Sequence, residues 1–231
     1  MMNRIKQIIL FLTCFFGILQ PVYADNWRLD KDENGIKIST RAVQGSAIRE
    51  IKGELTVDSS LDSVMAVFDD IPNFPRWNDQ STKAILLQRV SARERYHYQN
   101  MNMPFPVQDR DLLIHSKISQ SGNTIFVRLR AAADFCKKSP NKDCEAINQS
   151  KNVMVTHLKG EYKLEPQNEG GLKITWVQHT EPAGKLPNWL VNTMLTDVPF
   201  NTLDKLRKRI KMDRYQQAKL KRDANGRILG F

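Results

Sequence analysis

Residues Leu186 to Arg214 place the strongest constraint on what this chain can fold into. They carry the one long helical pattern downstream of a run of short alternating segments. Before Pro199 the apolar residues Leu190, Val191, Met194, Leu195 and Val198 recur at helical spacing and make one broad apolar face. After it, Leu203, Leu206 and Ile210 form a second stripe. At about 100° per residue this stripe is rotated by roughly a third of a turn from the first. The internal proline removes a backbone hydrogen bond and permits a kink. The pattern predicts a helix in two halves, one packed on a sheet and the other covering a second surface.

Upstream, Trp27–Asp30 reads as a short N-terminal piece ended by a turn at Lys31-Asp32-Glu33-Asn34-Gly35, and Ile36–Thr40 and Ser46–Val57 read as strands, with Gly53 a candidate bulge position. Asp58-Ser59-Ser60 offers caps for a helix from Leu61 to Asp70 bearing the stripe Leu61, Val64, Met65 and Phe68. Further strands are expected at Ala84–Val90, Glu94–Met103, Asp111–Ser119, Thr124–Asp134, Val153–Leu164 and Leu172–His179, joined by short turns suited to antiparallel hairpins. Strands followed by a segregated helix imply an α+β fold, a curved antiparallel sheet wrapped around the C-terminal helix. Alternation puts Leu112 and Ile114, then Ile125, Val127, Leu129 and Ala131, then Leu172, Ile174 and Trp176 on the inward face.

The N-terminus reads as an export signal. Arg4 and Lys6 precede the apolar run Ile8 to Leu19, and Val22-Tyr23-Ala24 supplies a cleavage site after Ala24. That run falls short of the roughly 20 apolar residues of a membrane span. The expected organisation is therefore a signal peptide at 1–24, one domain at 25–215 and a basic C-terminal tail at 216–231, in a soluble periplasmic or secreted protein. Residues 25–231 hold 33 basic against 25 acidic residues, a net charge of +8. Nine basic residues and one acid lie between Lys205 and Arg222, so an anionic membrane surface is an expected partner of that stretch. Cys136 and Cys144 enclose a polar loop containing Pro and Asn. In an oxidising compartment such a pair predicts a disulfide.

Four local patterns occur in order: Gly35-Ile36-Lys37-Ile38-Ser39-Thr40-Arg41; Asp70-Ile71-Pro72-Asn73-Phe74-Pro75-Arg76-Trp77-Asn78; Met103-Pro104-Phe105-Pro106-Val107-Gln108-Asp109-Arg110-Asp111-Leu112; and Pro182-Ala183-Gly184-Lys185-Leu186-Pro187-Asn188-Trp189-Leu190-Val191-Asn192. Together they resemble a START (steroidogenic-acute-regulatory-protein-related lipid-transfer) domain across essentially all of residues 25–231. The resemblance implies a helix-grip fold, in which the sheet grips the C-terminal helix around a tunnel for one hydrophobic molecule, with the helix and a neighbouring loop as lid. It makes Arg110 and Asp111 a fixed point, read as structural, with ligand headgroup contact as the other role. Sterol-binding members place a buried acid–Arg pair at the positions that are Lys83 and Ser116 here. Without that pair, sterol specificity does not carry over.

Motifs of chemistry are few. The sequence has no Gly-x-Ser-x-Gly, no His-Glu-x-x-His and no phosphate-binding glycine loop. His97, His115, His157 and His179 fall on separate strands without metal-ligand spacing and read as surface or satisfied strand residues. Nucleic acid finds no recognition motif. The expected function is a monomeric carrier or sensor of one lipid or other hydrophobic small molecule, without catalysis, cofactor or metal. Its expected wall is Leu112, Ile114, Val127, Leu129, Ile174, Trp176, Leu190, Met194 and Val198. Two alternatives stay open: a cyclase-like enzyme of the same fold, with Tyr96, His97 or Tyr98 as first candidates, and a ligand-sensing partner-binding protein.

Overall fold

The computed structural model describes residues 26–184 and 186–230, so the expected signal peptide lies outside the described residues. Ten strands form one sheet: β1 (Arg28–Glu33), β2 (Ile36–Arg41), β3 (Glu50–Val57), β4 (Ala84–Ser91), β5 (Glu94–Met101), β6 (Arg110–Ser121), β7 (Thr124–Ala131), β8 (Val153–Met154), β9 (His157–Pro166) and β10 (Leu172–Glu181). Their order is β1-β2-β3-β10-β9-β7-β6-β5-β4, with β8 parallel to the start of β6 and every other pairing antiparallel. The helices are α1 (Leu61–Asp69), α2 (Phe135–Lys138), α3 (Lys142–Asn148), α4 (Asn188–Leu195), α5 (Asp197–Ile210) and α6 (Asp213–Gln216). The α+β arrangement is the one expected from the alternation of strands and the late helix.

Local chemistry accounts for the elements. Asn34 and Gly35, at φ 52° and 73°, make the two-residue turn whose twist matches a hairpin, so β1 runs on to Glu33 before the chain reverses. Ser60 Oγ accepts from Ser63 N at 3.1 Å and caps α1, whose Val64, Met65 and Phe68 are buried. The expected strand 153–164 divides into β8 and β9. The loop after β7 folds into α2 and α3, where Cys136 and Cys144 are disulfide-bonded with Cα atoms 4.9 Å apart.

Two further expectations change. Gly53 forms no bulge: it pairs in regular register with Ile38 and Trp176. Its role is close approach, because a Cβ there would lie 2.7 Å from Leu203 Cδ1 on α5. Gly53→Val should therefore destabilise by about 1–3 kcal/mol through overpacking, read from urea denaturation. The helix break also lies earlier than the proline. α4 ends at Leu195, and Thr196 (φ −124°, ψ −62°) joins it to α5. Pro199 removes the N–H that would bond to the Leu195 carbonyl and pushes its ring toward that group, so the interruption appears one turn upstream, while Pro199 itself fits in the first turn of α5.

Leu203, Leu206 and Ile210 of α5 are fully buried with Ile36, Ile38, Leu55, Ile125, Leu164, Leu172 and Ile174, forming a solid core at one end of the sheet. The segment after α6 is laced back onto the body. Arg222 and the Leu220 N–H bind Asp62, Gln120 Oε1 accepts from Ile228 N at 3.0 Å, and Arg93 donates to the Ile228 carbonyl. Of the nine basic residues between Lys205 and Arg222, five are ion-paired: Lys205 with Asp79, Arg207 and Lys208 with Asp204, Arg214 with Asp70, and Arg222 with Asp62.

Candidate ligand cavity

At the end of the sheet that α5 does not fill, the inward face, α4 and the first turn of α5 enclose an apolar cavity. It encloses about 1150 Å³ of space, counting the solvent at its mouth. Leu112, Ile114, Val127, Leu129, Trp176, Met194 and Val198 line it, joined by Val191 and Leu195 from α4. Ile174 does not. It points to the same side as Trp176, but two residues along β10 the strand has passed beneath the packed end of α5, so its surface is used in the core with Leu203 and Leu206. Leu190 is buried as well and lies off the cavity wall.

A second part of the wall was not legible as such. Phe68 from α1, then Phe74 and Trp77 from the turn that follows, pack with Tyr162 and Trp176: ring centroids are 4.8 Å apart for Phe68–Tyr162, 4.9 Å for Phe74–Trp77 and 5.4 Å for Tyr162–Trp176. Beside them β5 presents Arg95, His97 and Gln99, three residues at the two-residue period of a strand face. The sequence does not mark this stripe, because the inner face of Glu94–Met101 is mainly polar while Tyr96 and Tyr98 lie on the other, so no hydrophobic alternation points inward.

The same alternation separates the candidate acid–base residues. Only His97 faces the cavity. Tyr96 is stacked between His115 and Phe135, with centroids at 4.7 and 4.3 Å, and the Tyr98 hydroxyl donates to Asp111 at 2.7 Å. Of the other histidines, His115 meets Glu94 at 2.7 Å, His157 lies beside Thr156, and His179 contacts Ser46 and the Ile48 carbonyl. Among the described residues no group of three or more His, Cys, Asp or Glu is arranged to hold a metal.

His97 is buried, with its Nδ1 3.4 Å from Ser116 Oγ, and Arg95 is buried beside Asp69 at 3.1 Å and the Phe68 carbonyl. Desolvation first, then the nearby Arg95 charge, holds the imidazole well below its usual value of 6.5, so it is neutral. In the unfolded chain His97 gains a proton as pH falls below 6.5, whereas the folded chain does not take it until much lower pH. Stability is thus complete above 6.5 and falls below it by about 1.4 kcal/mol per pH unit from this group. Between pH 6.5 and 5.5 the wild type should lose about 1 kcal/mol more than His97→Gln in urea denaturation.

Arg110 acts as a structural clamp. Buried at the start of β6, it donates to the carbonyls of Pro182 at 3.0 Å, Ala183 at 2.8 Å and Gln108. Asp111 accepts from Tyr98 and from Asn152 Nδ2 at 2.9 Å. Neither lines the cavity. Instead Arg110 ties the loop 102–109 to the turn leading into α4; Phe105 of that loop is 96% exposed and Trp189, in the first turn of α4, is 57% exposed.

The sequence matches the START domain family over residues 21–214. It is 30% identical over 206 residues to an uncharacterised protein of Pseudomonas aeruginosa, covering 89% of this chain and 97% of that one. It is 25% identical over 171 residues to rat phosphatidylcholine transfer protein, covering 72% of this chain and 75% of that one. Among solved structures, a STAR-related lipid transfer protein fragment from Xanthomonas axonopodis is similar with a TM-score of 0.71 and 32% identity, over 81% of this chain and 100% of the fragment.

Proposed function

Because the chain belongs to the START domain family, we propose that it is a carrier or sensor that holds one hydrophobic, lipid-like molecule between its sheet and α4. The observation that carries this reading is the apolar cavity beside a core that is otherwise solid. Its affinity would come from apolar burial, at about 25 cal/mol per Å² removed from water. The loop 102–109, tied through Arg110 to the turn at Pro182 and Ala183, and α4 are the proposed lid.

No reaction is proposed. His97 alone of the candidate acid–base groups faces the cavity, and the group it meets is the Ser116 hydroxyl. Export to the periplasm or beyond is proposed from residues 1–24, and the Cys136–Cys144 bond suits such a compartment. An anionic membrane surface is a proposed contact of the exposed Lys211, Lys219 and Lys221, the charges of the basic stretch that make no ion pair here apart from Arg209, which lies over Tyr215.

Native mass spectrometry of protein purified without detergent, followed by solvent extraction, tests the reading. One equivalent of an intact hydrophobic molecule is expected. Protein that carries none, and takes up none from mixed lipid vesicles, would refute it.

A further inference from the structure

The chain between β7 and β9 forms a small unit on the outer face of the sheet. By alternation, Tyr96, Tyr98 and Leu113 point away from the cavity that His97, Leu112 and Ile114 line. Tyr98 and Leu113 form a cluster there with Phe135, Cys136, Cys144 and Ile147 of α2 and α3. These helices have four and seven residues, fewer than the roughly 12–15 that an isolated helix needs in water. Their persistence falls to the bond between Cys136 and Cys144, eight apart in sequence, and to packing such as that of Phe135 on Tyr96 at 4.3 Å.

From α3 the chain runs on into β8, whose Met154 packs on the same cluster. β8 is two residues long and pairs with β6 at Arg110 and Asp111. The Val153 N–H donates to the Asp109 carbonyl and the Val155 N–H to the Asp111 carbonyl, both at 2.9 Å, so the backbone is held on either side of Arg110. Asn152 Nδ2 donates to the buried Asp111 carboxylate at 2.9 Å, and withdrawing it would strip a buried charge of a donor.

Arg110 carries this constraint to the cover of the cavity. Its guanidinium holds the carbonyls of Pro182 and Ala183. Pro182 lines the cavity, and Ala183 and Gly184 stand at φ 58° and 70° between β10 and α4. An alanine in that left-handed region is strained and persists where its surroundings over-determine it. The Arg110 clamp supplies that constraint.

We propose that the disulfide-closed unit is a brace for the cavity's cover: through β8 and Arg110 it holds the turn at Ala183 and Gly184, and so sets how often α4 swings away to pass a ligand. The inference rests on the reading of α4 as the cover of a lipid site and adds a control placed on the opposite face of the sheet. With the bond closed, β8 stays paired and the turn stays clamped. Without it α2 and α3 fray, β8 loses its anchor and Arg110 its outer support, while the cavity wall is unaltered.

Hydrogen exchange of the full chain, read by mass spectrometry, tests the brace without any ligand. In Cys136→Ala/Cys144→Ala the amides of 182–195 should exchange at least about tenfold faster, since the lost cross-link favours local opening. Asn152→Ala leaves the disulfide in place, removes one bond of the relay, and should speed them about threefold or more. Gly53→Val, which strains the packed end of α5, should not, because these amides exchange by local opening rather than global unfolding. Transfer of a pyrene-labelled phosphatidylcholine between vesicles and the protein is the second readout. Loading and release should both quicken about fivefold or more in the double variant, with equilibrium occupancy within about twofold, because opening enters both directions alike. Faster exchange confined to 135–155, or an equal gain in Gly53→Val, would overturn the brace. Asn152→Ala decides the matter if the double variant does not fold. Faster exchange at 182–195 with no lipid loaded by any form would uphold the brace and overturn the carrier reading. Lipid loaded with no change at 182–195 would do the reverse.

Discussion

Met194→Trp should abolish ligand uptake while leaving the fold intact. Met194 lies on α4 at the cavity wall and is only partly buried. A larger, rigid side chain there has space to enter, so it fills the volume the ligand would take without forcing apart a sealed core. Uptake of a lipid from vesicles, measured by native mass spectrometry, should fall by at least about tenfold, since loss of a few apolar contacts amounts to more than 1.4 kcal/mol. The urea midpoint should shift by no more than about 1 kcal/mol in stability, as for other changes that do not overpack the interior. Unchanged uptake would remove α4 from the binding surface.

The opposite pattern is expected twelve residues further along the chain. Leu206→Ala removes a fully buried side chain from the set formed by α5 with β2 and β3. The close approach at Gly53 shows how little slack exists there, so the gap will not be filled by collapse. The cost should be about 2–5 kcal/mol, a large share of the roughly 5–15 kcal/mol available to a domain. Affinity per folded molecule should be unaffected. A loss below about 1 kcal/mol in equilibrium denaturation would contradict the division of the two helices into a covering half and an anchoring half.

How much of this was readable varied with the kind of signal. Strands with one apolar face announced themselves: Leu112 and Ile114, Val127 and Leu129, and Trp176 point inward, and all of them line the cavity. The two stripes of the C-terminal segment were also legible, because helical periodicity is local. Which inward residues line a void and which fill a core was not. Ile174 and Trp176 share a face and a strand, and only the position of α5 distinguishes them. The same holds for Gly53. Its missing Cβ looks in sequence like a bulge and in space is the seat of Leu203.

The polar region was the least legible. Arg95, His97 and Gln99 look like ordinary exposed positions of a strand, and Trp77 and Gln80 like a turn. They become one surface only when β5 pairs into the sheet and Thr202 and Lys205 of α5 meet the backbone and side chain of Asp79.

By itself, then, the sequence determined most of the strands and α1, the sheet-and-helix class and the two-halved C-terminal segment. Those follow from periodicity and from Pro199, which act over a few residues and need no distant partner. Only the tertiary structure decided where the cavity lies, that polar residues of β5 and of loop 77–80 join its wall, and that Arg110 donates to the carbonyls of Gln108, Pro182 and Ala183. Those depend on residues far apart in the chain, whose burial and hydrogen bonding exist only once the sheet has closed around α5.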